Sequence, residues 1–202
     1  GVTIYQAIAT EACRRAQNSL DFVSRVYAKT SINIDIITPY TEAALTFNAC
    51  HCLLDQNSKY DLIFDIGGGS TELILVSQNK DKEKTLDKVY SIPDGVVTLF
   101  DEFGDNLQDD ATYSAIISKV NSWLEKFEFE LEKKNISFLK DVTLIGTSGT
   151  MTILGAFHLG LKYYDRSRVD GMIIDRSSIK ILTKLLINMS RSARAAHPCI
   201  GP

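Results

Sequence analysis

Asp65-Ile66-Gly67-Gly68-Gly69-Ser70-Thr71-Glu72-Leu73 is the stretch on which the fold turns. It follows the apolar run Tyr60-Asp61-Leu62-Ile63-Phe64 and leads into Leu73-Ile74-Leu75-Val76. Two short β-rich runs around a glycine cluster read as a hairpin-like strand pair joined by a tight turn. Three consecutive glycines let the backbone present N–H groups with no Cβ in the way. Successive exposed N–H groups form an anion cradle, and Ser70 and Thr71 add hydroxyl donors at its rim. Asp65 and Glu72 frame it. Carboxylates beside a bound phosphate repel it unless a divalent cation lies between them or one of them handles a proton. The stretch therefore asks for a phosphate-bearing ligand with Mg²⁺ held at Asp65 and Glu72. A bare triple glycine would serve equally as a solvated hairpin turn.

Outward from this centre, the N-terminal side alternates strand and helix signals. Residues 2–9 are β-compatible, and Thr10 to Ala16 are a polar loop or helix start carrying Arg14 and Arg15. Asn18-Ser19 precede an amphipathic helix through Leu20, Phe22, Val23, Val26 and Tyr27. Ile32, Ile34 and Ile36 alternate as a strand. Pro39 and Thr41 open a second helix, with Glu42 in its first turn. On the other side, Ser77 to Lys88 read as a charged, solvated hairpin connection and Val89 to Ile92 as a strand. Gly95 to Phe103 form a short helix. Asp109 to Glu132 form a long one, with Ile116, Ile117, Val120, Trp123, Leu124 and Phe127 as a packing stripe.

Val142 to Ile145 predict a buried strand, broken by Gly146-Thr147-Ser148-Gly149-Thr150 before an apolar helix through Leu154 and Phe157. Backbone amides and a helix N-terminus there can hold an anion or nucleotide, although such turns also serve helix–strand packing alone. Ile173-Ile174 read as a short strand, and Asp175 or Ser177 caps a last helix over Ile179 to Met189.

The wider composition sets the limits. In 202 residues, 45% are hydrophobic and 23% charged, and the net charge is −3. This is an ordinary globular balance, with no global basic field for a nucleic-acid polymer or a membrane surface. No apolar run approaches the roughly eighteen residues of a membrane span. Cys13, Cys50, Cys52 and Cys199 lack CxxC or zinc-finger spacing and read as reduced, buried thiols of a cytoplasmic protein. His51, His158 and His197 have no ligand-like spacing.

Several stretches together resemble the exopolyphosphatase and guanosine pentaphosphate phosphohydrolase (Ppx/GppA) family, a branch of the actin-like superfold. They are Ala9-Thr10-Glu11-Ala12-Cys13-Arg14, Ile37-Thr38 with Thr41-Glu42-Ala43-Ala44-Leu45, and Asp65 to Glu72. Ser91-Ile92-Pro93-Asp94-Gly95-Val96-Val97 and Ile145-Gly146-Thr147-Ser148-Gly149-Thr150 complete them. The resemblance implies an α/β actin-like (RNase H-like) fold of the ATPase superfamily, a mixed sheet flanked by helices. Residues 1–46 would then be the C-terminal portion of a first domain, and residues 47–202 a second domain truncated at its C-terminus. The chain reads as an internal fragment without the family's first phosphate loop.

The activity so implied is hydrolysis of terminal phosphoanhydrides in inorganic polyphosphate or pppGpp, in the stringent response. Glu42 would activate water. Arg14, Gly67, Gly68, Gly69, Ser70, Thr71, Gly146, Thr147, Ser148 and Gly149 would bind phosphate. Pro39-Tyr40-Thr41 stand where the family carries an acidic run, which leaves substrate preference open. An actin-like kinase or ATPase and a non-catalytic alarmone-binding regulator are the alternatives. The oligomeric state, a homodimer of the full-length protein among the options, is open.

Overall fold

A computed structural model describes residues 3–200, apart from the side chains of residues 138 and 139. It opens with β1 (Ala7–Ala9), α1 (Glu11–Arg15), α2 (Ser19–Thr30) and β2 (Ile34–Ile36). β1 and β2 pair in parallel, with Ala7 opposite Ile34 and Ala9 opposite Ile36. α3 (Pro39–Cys50) starts at Thr38, whose hydroxyl accepts from the Thr41 N–H, with Pro39 in the first turn. Proline is tolerated there because its missing N–H would have had no partner. The residue-46 boundary expected from the sequence falls within α3, which runs unbroken across it.

A larger sheet follows: β3 (Tyr60–Ile66), β4 (Thr71–Gln78), β5 (Lys84–Ile92) and β6 (Val142–Thr147), ordered β5-β4-β3-β6. β3, β4 and β5 form an antiparallel meander, and β6 lies parallel to β3. That parallel crossover is made through α4 (Val96–Phe103), α5 (Asp110–Glu132) and α6 (Phe138–Asp141). α7 (Ser148–His158), α8 (Arg166–Val169), α9 (Arg176–Asn188) and α10 (Arg191–Ala196) complete the described chain.

β3 and β4 read as continuous apolar runs because both of their faces are covered. On one face Ile63, Ile74 and Val76 meet Ala43 and Cys50 of α3 and Leu54. On the other, Leu62, Leu73, Leu75 and Ile92 meet Phe127 and Leu131 of α5 and Ile136. α5 is capped by Asp109, and α9 by Asp175, one of the two caps its sequence offers.

Five expectations are corrected. β5 begins at Lys84, so the solvated connection shrinks to Asn79–Glu83, closed by the Asn79 side chain. The Lys84 ammonium lies buried on Asp61 at 2.8 Å, and such a pairing leaves no local trace in sequence. β6 is half-exposed, because it is an edge of the described sheet. Ile117 and Leu124 stay on the surface of α5. Ile173-Ile174 form no strand: Ile173 is exposed and nothing pairs with it among the described residues. Cys52 is exposed, whereas Cys50 and Cys199 are buried, and all four cysteines are free thiols. No described helix is long and apolar enough to cross a membrane.

Candidate active site

Pairing across the four strands sets Ser91 (β5), Glu72 (β4), Asp65 (β3) and Thr147 (β6) in one row. Residues in one row project from the same face. Asp65 lies two positions after Ile63 and Glu72 two before Ile74, so this is the α3 face. Both acids receive hydroxyl donors. Thr46 of α3 donates to Asp65 Oδ2 at 3.1 Å, and Ser148 donates to Asp65 Oδ1. Ser91 donates to Glu72 Oε1 at 3.1 Å.

The opposite end of the same face carries a third acid, and it is treated differently. Asp61 is fully buried, but Lys84 and Ser58 satisfy it at 2.8 Å each. Glu72, only 2% exposed, has no lysine or arginine on it among the described residues. Burial pushes its carboxyl above the ordinary range, and the Glu42 and Asp65 charges push the same way against the Ser70 and Ser91 hydroxyls. Like charges crowded in a low-dielectric site call for a cation or a proton. No set of three or more His, Cys, Asp or Glu side chains forms a cation cage among the described residues.

Glu42 reaches this end of the sheet from the first turn of α3. Its Oε2 accepts from Arg14 Nη1 at 2.9 Å. Arg14 also donates to the Ile37 carbonyl at 2.8 Å and, through Nε, to Glu11 at 3.0 Å. Burial works against the guanidinium charge, but the Glu42 and Glu11 hydrogen bonds outweigh it and raise its pKa. Its Nη2 is buried and has no partner among the described residues. An unsatisfied buried donor of this kind costs about 1–3 kcal/mol, more when charged. A ligand oxygen would supply the missing acceptor.

The glycine loop lies next to this arginine, since a Cβ on Gly69 would stand 3.1 Å from Glu11 Cγ. Gly67 N–H closes the turn on the Ser70 carbonyl at 3.0 Å. The Gly67 and Gly68 carbonyls are turned the other way and accept from Val96 and Val97 at the start of α4, at 3.0 and 2.9 Å. The N–H groups of Gly68, Gly69 and Ser70 have no acceptor among the described residues. The Thr71 hydroxyl donates to the Asp94 carbonyl at 2.9 Å, so it fastens the loop instead of lining the rim.

The second glycine turn is built differently. Gly146 lies within β6, and an added Cβ would come within 2.7 Å of Phe64 and 2.8 Å of Met151. Packing therefore requires that this residue have no side chain. Ser148 takes φ +70° at the start of α7, with its hydroxyl on Asp65. Gly149 faces open space.

A profile of the Ppx/GppA phosphatase family matches residues 1–197. The chain belongs to that family. It is 30% identical over 165 residues to the bifunctional 3-dehydroquinate synthase/phosphatase of Fusobacterium nucleatum, covering 80% of this chain and 23% of that protein. It is 31% identical over 140 residues to exopolyphosphatase 1 of Mycobacterium tuberculosis, covering 69% of this chain and 38% of that one. The crystal structure of the Aquifex aeolicus Ppx/GppA member superposes with a TM-score of 0.69 at 28% identity, over 98% of this chain and 60% of that one. The chain thus spans less than two thirds of each of these proteins. The mixed sheet flanked by helices is an α/β fold shared with that Ppx/GppA structure.

At this end of the sheet the structure joins Arg14, Glu42, Asp65 and Glu72, with the Gly67–Gly69 loop at their side. Sequence reading missed Glu11, Thr46 and Ser91, which hold those groups. Glu11 precedes Arg14 by three residues and Thr46 follows Glu42 by four, the spacings at which helical side chains meet. Ser91 carried no signal beyond its place in a resembling stretch.

Proposed function

We propose that the intact protein hydrolyses terminal phosphoanhydride bonds of inorganic polyphosphate, with pppGpp as a second substrate of the same chemistry. The observation that carries this reading is Arg14: half-buried, triply anchored, and left with a buried Nη2 that has no partner among the described residues. A terminal phosphate spanning Arg14 and the Gly68, Gly69 and Ser70 amides would satisfy all of these donors at once. Guanidinium and main-chain amides suit a phosphate because both donate in fixed directions and neither can be neutralised.

Asp65 and Glu72 would hold Mg²⁺. Two carboxylates without a third fit a cation that completes its shell with water and substrate oxygens. The uncompensated burial of Glu72 supports the same assignment. Bound there, the ion would offset negative charge on the phosphoryl group. Glu42 takes the remaining role. Arg14 engages its Oε2 and fixes the carboxylate, while Oε1 keeps no protein partner among the described residues. Oε1 would orient a water in line with the terminal phosphorus and accept its proton as the bridging P–O bond breaks and the shortened chain departs. Four free thiols support a reducing, cytoplasmic setting.

The test is phosphate release by the intact protein from polyphosphate, pppGpp and ATP, with Glu42→Gln alongside. Release from polyphosphate is expected, with a loss on the order of 10²–10⁴ in the variant. Unchanged release in Glu42→Gln removes the base role. Phosphoryl transfer to an acceptor other than water replaces the hydrolase reading with a kinase.

A further inference from the structure

The carbonyl side of the glycine loop is held by residues that no catalytic role requires. Val96 N–H donates to Gly67 O at 3.0 Å, and Val97 and Thr98 N–H share Gly68 O at 2.9 and 3.3 Å. This approach exists because Gly95 has no side chain: a Cβ there would stand 2.5 Å from both oxygens. The segment is tied down one residue earlier. Asp94 is 8% exposed, and its carboxylate accepts from Trp123 Nε1 at 2.9 Å and pairs with Lys119 Nζ at 3.1 Å. Its carbonyl receives the Thr71 hydroxyl from the far side of the loop. Lys119 is itself paired with Glu102 of α4, so α5 grips both the start and the body of that helix. Trp123 packs against the core as its sequence suggests, but its N–H is spent on one buried acid.

We propose that Asp94, Lys119 and Trp123 form a positioning unit for the anion loop, acting through α4. In a trans peptide the C=O and N–H point in opposite directions. The two carbonyls held by α4 belong to the peptide units whose N–H groups are on Gly68 and Gly69. Fixing those carbonyls from behind turns the two N–H groups outward, and a hydrogen bond accepted at the oxygen strengthens the donor at the other end of the same peptide. The partial positive charge at the start of α4 adds in the same direction. The loop then meets an anion already oriented, with little ordering left to do on binding. The nature of that anion rests on the proposed function, but the clamp does not.

The experiment uses Trp123→Phe, which keeps the ring and removes the donor, and Lys119→Met, which removes the charge, both in the intact protein. Hydrogen exchange reads the clamp at the Val96 and Val97 amides, with Ile63 and Ile74 as core references. Each variant is expected to speed exchange at Val96 and Val97 by about tenfold, the scale of one net hydrogen bond, with the references unmoved. Loss of kcat/KM for phosphate release from polyphosphate is expected on the same roughly tenfold scale. Asp94→Asn, which keeps an acceptor for the indole, should fall between wild type and Asp94→Ala. Unchanged exchange at Val96 and Val97 overturns the clamp. Faster exchange with unchanged kcat/KM overturns its positioning role. If the wild type releases no phosphate from any anhydride, the substrate reading fails instead, and chemical shifts of the Gly68 and Gly69 amides titrated with inorganic phosphate take the place of kcat/KM. Shifts of equal size in wild type and Trp123→Phe then overturn the positioning role.

Discussion

Two glycine turns in this chain look alike on paper and differ in space. Gly67-Gly68-Gly69 joins antiparallel strands, has α4 pressed on its carbonyls, and leaves the N–H groups of Gly68, Gly69 and Ser70 without acceptors among the described residues. Gly146-Thr147-Ser148-Gly149 ends an edge strand, buries its first glycine against Phe64 and Met151, and gives its serine hydroxyl to Asp65. Both are strand–glycine turns rich in hydroxyls. What separates them is which side of the backbone a neighbouring element covers. A turn covered on its carbonyl side presents amides. A turn whose glycine is filled in by side chains presents a packing surface, and its polar residues serve the acid next door.

Alanine at three glycines breaks or sharpens this contrast. Gly95→Ala should be the most damaging, since its Cβ would meet two backbone oxygens that cannot step aside. A loss of about 3 kcal/mol in denaturant unfolding, or a comparable roughly hundredfold fall in phosphate release, is expected. Wild-type behaviour in both would mean that α4 does not press on the loop. Gly146→Ala meets flexible side chains and should lower stability by about 1–3 kcal/mol. Its folded fraction should keep kcat/KM within about threefold of wild type. A selective loss of activity would place the second turn in the phosphate site. Gly149→Ala has open space and a helical position, so a gain of about 0.5–1 kcal/mol in unfolding free energy is expected.

The contrast between the acids gives a subtler, pH-dependent test. Burial raises the Glu72 pKa, so the native state holds a proton that the unfolded chain releases. The stabilisation is fully present below the unfolded pKa and is lost as pH rises through the higher native value. With EDTA present, Tm should fall as pH rises above the ordinary carboxylate range, and Glu72→Gln should flatten that slope. Identical slopes in the two proteins would show that Glu72 is already compensated, as Asp61 is by Lys84.

Much of this was legible in the residues. The apolar runs on either side of Gly67–Gly69 announced β3 and β4, and Pro39, Asp109 and Asp175 marked helix starts. Glu42, Arg14, Asp65 and Glu72 each stand out in the sequence, and the fold brings them to one end of the sheet. Lys84 was not legible, because a lysine in the run Lys80 to Lys88 reads as solvated unless its partner Asp61, twenty-three residues away, is known to lie beneath it. The bond from the Thr71 hydroxyl to Asp94 and the packing around Gly146 were not legible for a related reason. A hydroxyl or a missing Cβ next to a glycine turn has the same local chemistry whichever way it faces.

Taken by itself, the chain's order of residues determined the strand pair around residues 67–69, the family, and which acids and arginine to look for beside that loop. Those follow from local backbone freedom and from periodicity, which act over a few residues. Only the tertiary structure decided which amides stay free, which hydroxyls are spent on neighbours, and that Asp94 stands behind the loop with Trp123 and Lys119 on it. Those outcomes depend on groups distant in sequence meeting in a desolvated place, where every donor must find an acceptor or be left waiting for a ligand.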